Sequence, residues 1–302
     1  MSTPHAYLKE LEVATLAVKR ASLLTKHLSD TIVQTAKSGT LTKDDKSPVT
    51  VGDFALQAII NNAIKSNFPD DEIVGEEDSL ELRENGDLAA ETAEYGDVVG
   101  TLTSPDEIYR SIDFGDSKGD QFAVCLALIE DGQVVLGVIG CPNLAQHIVS
   151  NKEHSGVVGG LYSAIKGVGS YYSELFTSGD PRELKVVEGV EKGHSSHSTQ
   201  AQIKAQLGFD PETVAQQTIN LDSQVKYCVL ASGQADIYLR LPISDTYREK
   251  IWDHAAGNVL VYEAGGQLLD FGKGRTLDSQ GVIAANREIF PKVIEAVKEV
   301  TN

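Results

Sequence analysis

Apolar residues recur at helical spacing in five stretches of the chain. The first covers residues 7–36 and the second covers residues 54–68. Shorter stretches lie around residues 199–207 and at 251–266, the latter closed by two glycines, and the last covers residues 287–300. Apolar side chains three or four positions apart share one face of a helix, so each stretch predicts a helix.

Other apolar runs are shorter and predict strands. Residues 121–142 contain two such runs joined by Glu130-Asp131-Gly132-Gln133, which is a specific signal for a β-hairpin. Further strands are predicted at residues 72–75, 159–173, 185–191 and 281–286. Since helices and strands alternate, with hairpins among them, the predicted fold class is mixed α/β in layers.

The chain is long enough for one large domain or two smaller ones. The stretch "FTSGDPREL", at residues 176–184, is rich in turn-forming residues and is the expected boundary between two halves. The predicted division is an N-terminal α+β half at 1–180 and a C-terminal α/β half at 181–302.

Charge narrows the classes of partner. The net charge is −18, and residues 70–120 carry 17 acidic side chains against three basic ones. An acidic field of this kind disfavours nucleic-acid polymers and acidic membrane surfaces. A small anionic substrate would need a cation as intermediary, and a divalent metal is the obvious candidate.

Compartment can also be predicted from composition. The longest apolar runs have about nine residues, too few to span a bilayer, and the first residues lack the layout of a signal peptide. Cys125, Cys141 and Cys228 are widely spaced among apolar neighbours, which suits reduced core thiols better than disulfides or a zinc site. A cytoplasmic protein is therefore expected.

Three acidic residues are candidates for metal chemistry because they lie at predicted ends of elements. Asp53 opens the second helix, Glu76 follows the strand at 72–75, and Asp253 opens the helix at 251–266. Metal-dependent phosphate-ester hydrolysis needs carboxylates from separate elements that converge on one or two cations. Taken singly, Asp53 and Asp253 are better explained as helix N-caps, and Glu76 as a solvated charge.

The combination of these residues with their neighbours is more specific. The stretches "SPVTVGDFA", "VGEED" and "IWDHAAGNVLVYEAGG", in this order, resemble the inositol monophosphatase superfamily of magnesium-dependent, lithium-sensitive phosphatases. Residues 187–197, "VEGVEKGHSSH", and 221–242, "LDSQVKYCVLASGQADIYLRLP", resemble the fungal 3′(2′),5′-bisphosphate nucleotidases within it. The resemblance implies a layered αβαβα sandwich with the active site between its two halves.

The resemblance also implies roles for individual residues. Asp53 would help to activate the attacking water, while Glu76 and Asp253 would bind Mg²⁺. Four residues would bind the nucleotide: His194, Ser223, Lys226 and Arg240. From the residue types alone, Lys226 could equally be a surface charge on a strand, and His194 a loop residue.

The strongest signature of the superfamily, Asp-Pro-Ile-Asp-Gly-Thr, is missing from the chain. In its place, the stretch at 112–124, "IDFGDSKGDQFAV", runs directly into the predicted hairpin, as though about twenty residues had been removed. Either Asp113 and Asp116 substitute for the metal-binding aspartates, or these acids and Asp120 form an ordinary linker and the metal site is incomplete. The linker interpretation is preferred, because runs of charge are usually solvated.

Two functions follow from the resemblance. The first is hydrolysis of the 3′-phosphate of adenosine 3′,5′-bisphosphate to AMP and phosphate, in the context of sulfate assimilation and salt tolerance. The second is a nucleotide-binding relative without catalysis, motivated by the missing motif. A small-molecule substrate, no nucleic acid, no membrane and a monomeric state are expected in either case.

Overall fold

The structure is a computed structural model. It describes residues 6–35, 40–42, 48–76, 122–150, 153–171, 184–190, 195–242, 244, 246–270, 276 and 279–301. Within them, the helices are α1 (Leu8–Thr35), α2 (Val51–Asn67), α3 (His197–Gln206), α4 (Val225–Ala231), α5 (Ala255–Glu263) and α6 (Phe290–Thr301). A 3₁₀ turn at Ile251–Asp253 precedes α5.

The strands of the described residues form three antiparallel or mixed sheets. A two-stranded ladder pairs β1 (Thr40–Thr42) with β2 (Pro48–Thr50). The strands of the four-stranded antiparallel sheet, in spatial order, are β3 (Val124–Glu130), β4 (Gln133–Ser150), β5 (Glu153–Ile165) and β6 (Gly169–Ser170). The strands of the five-stranded mixed sheet, in spatial order, are β10 (Gly266–Leu269), β11 (Val282–Asn286), β9 (Ile237–Arg240), β7 (Val186–Glu188) and β8 (Thr218–Asn220).

The predicted hairpin at 121–142 is confirmed. Strands β3 and β4 pair from Val124 opposite Gly140 to Glu130 opposite Gln133. The two turn residues, Asp131 and Gly132, have φ values of 49° and 72°. Two consecutive positive φ values are those of a type I′ turn, whose twist matches that of the flanking strands.

Five layers follow from the buried contacts. Helices α1 and α2 cover one face of the four-stranded sheet, and α4 and α5 lie between that sheet and the five-stranded one. Helices α3 and α6 cover the outer face of the five-stranded sheet. Strand β9 shows the alternation: Tyr238 faces the middle layer, while Ile237 and Leu239 face the outer one. The predicted layered αβαβα sandwich is confirmed.

The four-stranded sheet comes from residues before the predicted boundary at 180, and the five-stranded sheet from residues after it. Residues 172–183, which include all of the predicted boundary segment at 176–184 except Leu184, lie outside the described residues. The division into domains at 1–180 and 181–302 therefore stays a prediction. None of the helices in the described part of the chain has the length and apolar character needed to cross a membrane.

Glycines allow α5 to approach its neighbours closely. A methyl group on Gly137 of β4 would lie 2.7 Å from the Val259 side chain and 2.8 Å from the Ala256 carbonyl oxygen. A methyl group on Gly257 of α5 would overlap the ring of Tyr227 in α4. The N-terminal part of α5 is therefore packed against both β4 and α4 without spare volume.

Substitution of Gly257 by alanine should destabilise the protein. The added methyl group overlaps a fully buried tyrosine, and overpacking of a core costs about 1–3 kcal/mol. Urea unfolding should show this loss for Gly257→Ala. Gly189→Ala is the matched control, because a methyl group there meets nothing within 4 Å. Equal midpoints for the two variants would contradict the close packing of α5 on α4.

Candidate active site

The predicted site residues that the structure describes lie near the ends of elements. Three belong to the predicted catalytic side: Asp53 in the first turn of α2, Glu76 beyond α2, and Asp253 at the end of the 3₁₀ turn. Three belong to the predicted nucleotide side: Ser223 before α4, Lys226 in its first turn, and Arg240 at the end of β9. His194 and the acids Asp113, Asp116 and Asp120 lie outside the described residues.

Asp53 is not the N-cap of α2. The helix begins at Val51, so Asp53 lies within its first turn, where the helix dipole also favours a negative charge. Its side chain is only 6% exposed and takes part in an interaction within the protein. Aspartates are seldom this buried without a partner, so the position differs from that of a solvated cap.

Glu76 follows an irregular segment and not the predicted strand. Residues 71–75 belong to neither a helix nor a strand, and Val74 is 71% exposed. The apolar run consists of Ile73 and Val74 alone, which is too short to provide a buried face. The prediction of a strand at 72–75 is therefore wrong, although Glu76 itself is half-buried.

Glu76 and Asp253 both act electrostatically on the same residue, Cys125. Burial raises the pKa of Cys125 well above its usual range, and the neighbouring Cys141, Glu76 and Asp253 raise it further. Coulomb interactions weaken with distance, so both carboxylates lie within electrostatic range of this thiol on β3. The two predicted metal ligands therefore lie in the same region of the structure, although 177 positions separate them in the sequence.

Asp253 is held by its own turn and by a cation. Its Oδ2 accepts the backbone N–H of Lys250 at 3.1 Å and lies 3.7 Å from Nη2 of Arg240. The side chain remains one-third exposed, so it is still accessible to a ligand.

Arg240 is already paired within the protein. Its Nε lies 3.4 Å from Glu249 Oε1, and its Nη2 donates to the hydroxyl oxygen of Tyr247 at 2.6 Å. Burial lowers the pKa of Arg240, but Tyr238, Glu249 and Asp253 together raise it by more, so the guanidinium stays charged. The predicted phosphate-binding cation is thus partly buried and lies beside two carboxylates and a tyrosine hydroxyl.

Lys226 lies in a helix and is buried, so its interpretation as a surface charge on a strand is wrong. Its Nζ donates to the carbonyl oxygens of Leu221 at 3.1 Å and Ser223 at 2.7 Å. The same ammonium group lies 5.9 Å from the centre of the Tyr238 ring. Lys226 therefore holds the segment that carries Ser223 in addition to providing charge.

Ser223 has two features of a functional residue. Its φ is 49°, which is uncommon for a residue with a side chain. Its Oγ is buried, and no hydrogen-bond partner for it occurs among the residues that the structure describes. Strained backbone and unsatisfied buried polar groups both concentrate at functional sites.

Four further residues complete the surroundings of the site: Cys125, Gln224, Tyr247 and Glu249. They were not predicted as part of it: Cys125 was assigned to the core, Gln224 lies in the quoted stretch at 221–242 but was given no role, and Tyr247 and Glu249 belong to no pattern. Three of them could have been found because they lie near predicted site residues in the sequence. Gln224 directly follows Ser223, and the segment with Tyr247 and Glu249 joins β9 to the 3₁₀ turn. The three cysteines are all free, as predicted, with Cys141 and Cys228 buried and their sulfur atoms 3.6 Å apart.

The described residues contain no group of three or more His, Cys, Asp or Glu side chains arranged to hold a metal ion. The donors near Cys125 are the two carboxylates of Glu76 and Asp253. Mg²⁺ prefers oxygen ligands and is commonly held by one or two carboxylates together with water and substrate phosphates. The donor chemistry therefore fits Mg²⁺.

The proximity of Glu76 and Cys125 can be tested directly. Glu76→Gln removes a negative charge that raises the pKa of the Cys125 thiol, so this pKa should fall. Because the thiolate is the reactive form, labelling of Cys125 by iodoacetamide should become faster and its pH profile should move to lower pH. Glu72→Gln is the control, an exposed carboxylate on the same segment. Mass spectrometry measures the labelling of Cys125 in each variant. Identical pH profiles of labelling for Glu76→Gln and Glu72→Gln would contradict the placement of Glu76.

Comparison with known proteins places this chain in a family. The model of the inositol monophosphatase family matches residues 113–302. The 3′(2′),5′-bisphosphate nucleotidase 1 of Candida albicans SC5314 is 68% identical, with 99% of this chain and 97% of that protein covered. The 3′(2′),5′-bisphosphate nucleotidase of Emericella nidulans is 43% identical, with 98% and 99% covered.

The alignment with the Candida albicans SC5314 relative spans 353 positions, whereas this chain has 302 residues. At least 51 aligned positions thus have no counterpart in this chain. This difference in length agrees with the missing signature, which predicted that a block of residues is absent from this chain.

Solved structures show the same fold at low sequence identity. The Thermotoga maritima IMPase has a TM-score of 0.60 at 20% identity, with 97% of this chain and 98% of that chain covered. The extragenic suppressor protein suhB of Bartonella henselae has a TM-score of 0.61 at 18% identity, with 96% and 99% covered. On the evidence of the family model and of relatives that match almost its whole length, the chain belongs to the inositol monophosphatase family.

Proposed function

We propose that the protein is a magnesium-dependent phosphatase that hydrolyses the 3′-phosphate of adenosine 3′,5′-bisphosphate, releasing AMP and inorganic phosphate. The observation that carries this proposal is the 68% identity, across 99% of the chain, to relatives named 3′(2′),5′-bisphosphate nucleotidase. The acidic composition supports it, because a small anionic substrate then requires a cation as intermediary.

The catalytic side of the site consists of carboxylates. Glu76 and Asp253 would hold Mg²⁺, since both carboxylates lie close to Cys125. When bound, such an ion acts as a Lewis acid toward phosphoryl oxygens and lowers the pKa of water. Asp53 is the residue that accepts a proton from the attacking water, and its burial suits a base held in one orientation.

The nucleotide side offers hydrogen bonds and positive charge. The buried Ser223 hydroxyl is available for a hydrogen bond to base or sugar. Arg240 neutralises the 5′-phosphate, for which a guanidinium is geometrically well suited. Lys226 contributes charge and holds the backbone of Ser223, and His194 completes the nucleotide contacts.

The alternative function, nucleotide binding without catalysis, is not favoured. It rests on the missing Asp-Pro-Ile-Asp-Gly-Thr signature alone. The relatives that match nearly the whole chain carry the name of the enzyme. A monomer that acts in the cytoplasm on a small molecule remains the proposed setting, and the three free cysteines suit a reducing compartment.

Phosphate release from adenosine 3′,5′-bisphosphate, measured while Mg²⁺ is titrated, tests the function. Asp253→Asn should lower turnover by at least about 100-fold, since even loss of a group that only orients a metal ligand costs about 10–100-fold. Asp53→Asn should also abolish turnover. Asp210→Asn, an exposed aspartate that accepts the backbone N–H of Glu212, should leave it unchanged. Full activity in Asp253→Asn would overturn the assigned roles, and metal-independent release would overturn the cofactor.

The same assay decides the role of the acids at 113–120. If they are a linker, as preferred, Asp113→Asn should keep the turnover and the Mg²⁺ dependence of the wild type. Loss of turnover in a folded Asp113→Asn variant would instead assign Asp113 to the metal site. Circular dichroism of both proteins provides the folding control.

A further inference from the structure

Gln224 joins two segments of the site through its side-chain amide. The residue is 3% exposed. Its Nε2 donates to the carbonyl oxygen of Trp252, and its Oε1 accepts the backbone N–H of Gly257 at 2.7 Å. Both ends of the amide are therefore used to hold backbone groups that lie on either side of Asp253.

The contact with Gly257 replaces a helix cap. The first N–H groups of a helix have no partner within it and are usually satisfied by the side chain of the N-cap residue. The N-cap residue of α5 is His254, whose side chain makes no cap hydrogen bond. Gln224 supplies the acceptor from a different helix, so the start of α5 is fixed by a residue of the nucleotide side.

Gln224 is itself well anchored. It is the N-cap residue of α4, and its carbonyl oxygen accepts the backbone N–H of Tyr227 at 3.0 Å. The preceding residue, Ser223, is held through its carbonyl oxygen by Lys226. An anchored backbone with a buried side chain leaves the amide few alternative positions.

We propose that Gln224 is a positioning residue that sets the placement of Asp253 relative to the segment of Ser223 and Lys226. This inference rests on the proposed function, since the role of Asp253 as a metal ligand is part of it. Gln224 acts through the backbone of Trp252 and Gly257, because these two groups occupy both ends of its amide. Residues that orient metal ligands in this way typically change metal affinity by about 10–100-fold when they are replaced.

The test compares Gln224→Met with Gln234→Met. The first removes both hydrogen bonds at nearly constant volume. The second removes an analogous bridge remote from Asp253, in which Gln234 accepts the backbone N–H of Ile148 at 2.7 Å and donates to Ser232. The metal probe is Mn²⁺, whose binding is followed by electron paramagnetic resonance without any turnover. Amide hydrogen exchange of Gly257 reports the placement of α5.

Gln224→Met should bind Mn²⁺ at least about tenfold more weakly than the wild type and exchange the Gly257 amide faster, while Gln234→Met changes neither. If Gln224→Met does not fold, Gln224→Asn replaces it, because its amide is one methylene too short to span both groups. Equal Mn²⁺ affinity in the wild type and the Gln224 variant overturns the inference and leaves the proposed function intact. Weakened Mn²⁺ binding without any wild-type turnover supports the inference and overturns the function, and absence of wild-type Mn²⁺ binding overturns both.

Discussion

The close packing of α5 against β4 and α4 is the constraint on which the site depends. Because Gly137 has no side chain, α5 packs directly on the face of the four-stranded sheet. Because Gly257 has none, the ring of Tyr227 packs directly on the backbone of α5. Tyr227 in turn meets Tyr238 of the five-stranded sheet edge to face, with ring centres 5.1 Å apart. One short helix therefore fixes the distance between the two sheets, and Asp253 lies immediately before it. The position of this carboxylate therefore depends on the packing of α5 as well as on the contacts of its own 3₁₀ turn.

Arg240 is shared between two carboxylates at the site, within the part of the chain that the structure describes. Arg240 is close to Glu249, Asp253 and the Tyr247 hydroxyl, and its Nε and the facing Glu249 are buried. Removal of one member of a buried pair leaves an uncompensated charge and is strongly destabilising. Conversion of Arg240 to an apolar residue would therefore disturb Glu249 and Asp253 as well as any phosphate contact. This is why its role cannot be separated from that of its neighbours by a single substitution.

Local signals predicted most of the fold. The Asp131-Gly132 turn identified the hairpin, because few other sequences tolerate two positive φ values. Helices α1, α2 and α6 were found from the spacing of their apolar residues. Helix α4 was not, because all seven of its residues are buried and no polar face marks the helical period. Lys226 was assigned to a strand for the same reason.

The site was only partly predictable, because its geometry depends on contacts between distant segments. Asp53, Glu76 and Asp253 were proposed as site residues from motifs, and their roles stay predictions. The amide bridge from Gln224 to Trp252 and Gly257 spans about thirty residues and follows no period. Ser223 was proposed from a motif, but its conformation depends on a contact that only the structure shows. Its left-handed backbone is costly for serine, and Lys226 stabilises it by donating to its carbonyl oxygen. This cost falls at a place where the hydroxyl is buried without a partner among the described residues, and both features are those expected of a group that contacts a ligand, which is the role proposed for Ser223.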